Sequence, residues 1–80
     1  MKLEIRLFGG LVCSNTDLPS YAQSEFTLDV PACMTVQDLR ELLSLGAGPL
    51  LIAVNGVMQK KDCPLSDDDR IGIFPPIAGG

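Results

Sequence analysis

The sequence contains no histidine and no tryptophan, and only one tyrosine and three phenylalanines among its 80 residues. Without an imidazole, no side chain ordinarily titrates between pH 5 and 8, so a general base would have to be a strongly perturbed carboxylate or lysine. Zinc sites and Cys–His nucleophiles lose a usual component for the same reason. Aromatic residues this sparse build no base-stacking platform. Six basic residues against ten acidic ones, a net charge of −4, provide no electrostatic footprint for nucleic acid. Apolar runs stay far below the ~20 residues that span a bilayer. The opening MKLEIRLFGG alternates polar and apolar positions where a signal peptide would carry an apolar core. Neither nucleic acid nor membrane is an expected partner, and the cytoplasm is the expected location. Cys13, Cys33 and Cys63 are odd in number and widely spaced, with no Cys-x-x-Cys pair, whereas small secreted scaffolds carry an even, denser set. They read as reduced thiols, and no metal site is expected.

What remains is a globular composition, 46% hydrophobic and 20% charged, in a chain short enough for one domain spanning 1–80. KLEIRLF (2–8) alternates, with Leu3, Ile5 and Leu7 on one face, and reads as a half-buried strand. Residues 9–23 have no period and read as a long loop. EFTLDV (25–30) alternates again, with Phe26, Leu28 and Val30 inward, until Pro31 stops it. TVQDLRELLSLG (35–46) switches to helical spacing through Val36, Leu39, Leu42 and Leu43. Thr35 suits its N-cap, Asp38 its first turn and Gly46 its C-terminal stop. LLIAVNGVMQ (50–59) carries Asn55-Gly56, a strong hairpin signal. PLSDDD (64–69) reads as a solvated acidic turn, and RIGIFP (70–75) as the last strand. The pattern predicts an α+β roll of about five strands in a mixed sheet, with one helix on one face. Its crossover sets the first and last strands side by side and parallel.

Parity then selects a surface. With Ile71 and Ile73 inward, Phe74 faces outward, as Phe8 does at the end of the first strand. If those strands are neighbours, the two rings meet in solvent where the tail departs. Arg70 shares that outward face, and Lys60 and Lys61 offer a basic pair beside the sheet. All five are candidates for a partner surface. Pro75-Pro76 stiffens the exit. Ile77 and Ala78 are small enough for a groove, and Gly79-Gly80 can thread a channel that admits no side chain. A flexible tail over 75–80 would present the carboxylate of Gly80, which is inert as an acyl donor until activated.

PLSDDDRIGIFPPIAGG (64–80) closely resembles the C-terminal signature of the ubiquitin-like sulfur carriers, most of all the small subunits of molybdopterin synthases. IRLFGGL is similar to that family's first strand, TVQDLRELL to its helix and LIAVNGV to its central hairpin. Two departures stand out. Asp68 occupies a position where the family usually has glycine, and Leu11, Val12 and Cys13 stand where it often has an arginine-glutamate pair. The resemblance implies a β-grasp fold and a carrier without catalytic side chains of its own. An ubiquitin-activating-like enzyme would adenylate Gly80 with ATP, a sulfur donor would thiocarboxylate it, and a large synthase subunit would receive the tail. The carrier itself would bind no cofactor. The sulfur would serve dithiolene formation in a molybdenum or tungsten cofactor. Alternatives are a carrier for thiazole, cysteine or transfer-RNA thiolation, a modifier joined to lysines through Gly80, and a plain interaction domain.

Overall fold

The computed structural model describes residues 1–46 and 48–76. Five strands and one helix follow in the order β1 (Lys2–Leu7), β2 (Glu25–Asp29), α1 (Val36–Leu42), β3 (Leu51–Val54), β4 (Val57–Met58) and β5 (Asp69–Phe74). They form one mixed sheet ordered β2-β1-β5-β3-β4, in which β1 and β5 run parallel and the other pairs antiparallel. The expected parallel neighbours are thus the central pair. The alternation in the sequence becomes burial: Leu3, Ile5 and Leu7 of β1, Leu28 of β2, Ile52 and Val54 of β3, and Ile71 and Ile73 of β5 meet Val36, Leu39 and Leu43 in one core. Phe26 and Leu42 pack against this core while remaining partly exposed.

Local chemistry fixes the helix at both ends. The Thr35 hydroxyl accepts from the Asp38 amide at 3.2 Å, and the Asp38 carboxylate accepts from the Thr35 amide at 3.0 Å, closing a capping box. The expected span of 35–46 is too long, because Ser44 already turns left-handed at φ +56°, before Gly46 at φ +84°. The long loop supplies what the shortened helix needs. Asn15 Nδ2 donates to the Leu42 carbonyl at 2.7 Å and the Ser14 amide to that of Leu43 at 3.0 Å, satisfying carbonyls that a helix end leaves open. The loop is held in turn by fully buried Cys13, whose amide donates to Gln23 and whose carbonyl accepts from Ala22. All three cysteines are free thiols.

The acidic turn is only partly solvated. Asp67 and Asp68 are exposed, but Asp69 is 9% exposed and opens β5 on the same face as Ile71. Its carboxylate accepts from the Ser66 amide at 2.7 Å and from Asn55 Nδ2 at 2.9 Å, while Asn55 Oδ1 accepts from the Arg70 amide at 3.0 Å. Hydrogen bonding offsets the cost of burying this carboxylate. Asn55 and Gly56, at φ +52° and +83°, therefore make a hairpin turn and also tie it to the start of β5. Asp68 sits at φ +66°, a left-handed position that favours glycine. Asp68→Gly is expected to stabilise the fold by about 0.5–1 kcal/mol, raising Tm by roughly 2–8 °C in calorimetry.

Candidate functional site

β1 and β5 end together. Leu7 pairs with Ile73, and the Phe8 amide donates to the Ile73 carbonyl at 2.9 Å, so Phe8 and Phe74 emerge side by side on the helix-free face. Their rings stack with centroids 4.5 Å apart and planes 6° from parallel, leaving Phe8 40% exposed. Such a pair contributes about 0.5–1.5 kcal/mol beyond its buried area. Gly72 lies beneath it: a Cβ there would meet Phe74 ring carbons at 3.3 and 3.4 Å and a Phe8 ring carbon at 3.6 Å. The missing side chain thus lets the Phe74 ring settle close to the sheet, while a Cβ would only touch the Phe8 ring.

The register extends this surface across two more strands. Leu51 pairs with Phe74, Ala53 with Gly72 and Met58 with Ala53, and paired residues share a face. Leu51 and Met58 are exposed. An apolar band therefore crosses β1, β5, β3 and β4 at the end from which the tail leaves. Leu51 and Met58 escape a reading by single-strand parity. Their signal in the sequence is the Asn55-Gly56 turn, which fixes which residues face each other across the hairpin.

The remainder of this face is charged. Arg70 approaches Glu4 at 3.4 Å and Arg6 approaches Glu25 at 3.3 Å, all with exposed side chains. Such pairs are worth little in stability, and they leave the band a polar border. Arg70, Phe8 and Phe74 line one shallow concavity with Glu4, Arg6 and Gly72. Lys60 and Lys61 do not line it: they follow β4 in an exposed turn, where the Lys61 carbonyl accepts from the Gln37 amide near the start of α1. Among the described residues, no group of three His, Cys, Asp or Glu side chains is placed to hold a metal ion.

At the root of the tail, Pro75 is half-buried and Pro76 exposed. Pro75 lies over Gly9, which is at φ +66°. Ile77, Ala78, Gly79 and Gly80 lie outside the described residues. What the described part of the site offers is a surface for recognition, an aromatic pair and an apolar band beside the departing chain.

A profile of the ThiS family matches residues 15–80. The chain belongs to the ThiS family. It is 45% identical over 47 residues to the molybdopterin synthase sulfur carrier subunit of Escherichia coli K12, a match covering 59% of this chain and 58% of that relative. Among solved structures, it resembles a protein assigned as molybdopterin converting factor subunit 1 from Pyrococcus furiosus, with 25% identity, a TM-score of 0.72 and coverage of 95% and 98% of the two chains. A chain from the complex of subunits 1 and 2 of molybdopterin-converting factor from Helicobacter pylori 26695 matches with 25% identity, a TM-score of 0.64 and full coverage of both chains. Small archaeal modifier protein 1 of Haloferax volcanii shares the fold alone, at 17% identity and a TM-score of 0.70 over 95% and 98% of the chains. The fold of this ThiS-family chain is the ubiquitin-like β-grasp that its sequence resemblance implies. Among the described residues, no helix is long and apolar enough to cross a membrane.

Proposed function

We propose that this ThiS-family chain is a sulfur carrier acting through the carboxylate of Gly80, and the small subunit of a molybdopterin synthase. In the first step the carboxylate attacks the α-phosphate of ATP on an ubiquitin-activating-like enzyme, forming an acyl-adenylate and releasing pyrophosphate. In the second, a hydrosulfide from a sulfur donor displaces AMP and leaves a thiocarboxylate. The loaded tail then enters a large synthase subunit, where its sulfur passes to a pterin precursor and water restores the carboxylate. The globule supplies recognition, and the partners supply the catalytic side chains.

The observation that carries this reading is the stacked Phe8–Phe74 pair, set with Leu51, Ala53 and Met58 in an exposed band where the tail leaves the sheet. Apolar surface of this kind, rimmed by charge, suits docking that is released between two partners. The molybdopterin synthase sulfur carrier subunit of Escherichia coli supports the choice of chemistry, and the Helicobacter pylori complex supports a large-subunit partner. The test is reconstitution with the host's adenylating enzyme, ATP and sulfide. Pyrophosphate release that depends on this chain, followed by sulfur transfer to the large subunit's pterin substrate, is the expected outcome. Gly80 linked to lysine side chains, with no sulfur taken up, would overturn the reading in favour of a modifier.

A further inference from the structure

We infer that Gly9 is a positioning residue for the tail: its bare Cα is the seat on which the Pro75 ring rests, and that seat sets the direction in which the chain leaves the sheet. A Cβ built on Gly9 would lie 2.4 Å from Pro75 Cγ and 2.7 Å from Cδ, far inside any van der Waals contact. The seat follows from the register. Leu7 opposes Ile73, Phe8 stacks on Phe74, and one residue further along the parallel pair Gly9 comes beside Pro75. At that step the two chains part. Gly9 and Gly10, at φ +66° and +84°, turn β1 away from the sheet, while Pro75 has no amide with which to extend the ladder. The proline ring, with its fixed φ, is therefore held from below by the glycine and directed by the aromatic stack before it. A tail that must present one carboxylate to two different enzymes gains from leaving the globule in a fixed direction, since misplacement by about 1 Å can cost on the order of 10²-fold in rate.

The functional consequence rests on the carrier reading, but the seat itself does not, and the two can be tested apart. Gly10 provides the control. Gly10→Ala imposes a similar left-handed strain, yet a Cβ there meets nothing within 4 Å. Pro75→Ala provides the reverse control, because it removes Cγ and Cδ and leaves only a Cβ, 3.9 Å from the Cβ of a residue-9 alanine. In the full-length protein, a nuclear Overhauser contact between the Gly9 α-protons and the Pro75 ring protons is expected. Gly9→Ala should lower Tm by more than Gly10→Ala, and Pro75→Ala should cancel the excess. Absence of that contact, or equal losses for the two glycine variants, would overturn the seat whether or not the protein carries sulfur. Loading of Gly80 by the adenylating enzyme should fall on the order of tenfold in Gly9→Ala relative to Gly10→Ala. Affinity for the large subunit, which the aromatic band sets, should stay the same. Equal loading rates in the two variants would refute the positioning role.

Discussion

Deletion of Gly80 is expected to abolish sulfur loading while leaving the fold unchanged. Among the described residues, the core is built from β1, β2, α1, β3 and β5 with Cys13, Val30 and Leu65, and takes no residue after Ile73, so the thermal midpoint is expected to hold. The reacting group would be withdrawn by one residue, roughly 3.3–3.6 Å of extended chain. An adenylating site that holds its acyl donor against ATP tolerates far less than this, and the loss of rate should exceed about 10²-fold. Pyrophosphate release and circular dichroism, measured on the same preparation, separate the two effects. A truncated chain loaded at the full rate would show that the carboxylate of Gly80 is not the reactive group.

Phe74→Ala is expected to weaken binding to the large subunit by about 2–4 kcal/mol, roughly 30- to 1000-fold in Kd, by analogy with aromatic anchors at the centre of other interfaces. Phe74 unites the elements of the proposed surface: it stacks on Phe8, shelters Gly72 and pairs with Leu51. Its partial burial makes some loss of stability unavoidable, about 0.5–1.5 kcal/mol for the stack itself. Titration calorimetry should therefore be run well below the variant's melting point. Lys60→Ala is the matched control, since this residue lies outside the concavity that Phe8, Phe74 and Arg70 line, and it should change Kd by no more than a few-fold. Equal effects from Phe74→Ala and Lys60→Ala would place the docking surface elsewhere.

Much of this arrangement is legible in the amino-acid order. Alternation in β1 and β5 places Ile5, Leu7, Ile71 and Ile73 in the core, and the same alternation puts Phe8 and Phe74 outside it. Once a crossover makes these strands parallel neighbours, their rings have to meet. Other features are less accessible, each because it depends on contacts distant in sequence. Charge alone groups Asp69 with its acidic neighbours, although its burial follows from strand parity and from hydrogen bonds to Ser66 and Asn55. Helical spacing runs on to Gly46, although Ser44 turns the chain first and residues from the 9–23 loop cap the end. Lys60 and Lys61 join the candidate surface by charge, but they are not among the residues that line the concavity. The seat between Gly9 and Pro75 has no signal in spacing, because it is a close approach that only the folded backbone creates.

Whether the chemistry resides on Gly80 is decided by the mass of the C-terminal peptide from protein isolated from its native host. The expected result is a population whose mass is raised by the replacement of one oxygen with sulfur, localised by fragmentation to Gly80. Sulfur found on Cys13, Cys33 or Cys63 with an unmodified Gly80, even after incubation with ATP, the adenylating enzyme and sulfide, would contradict it.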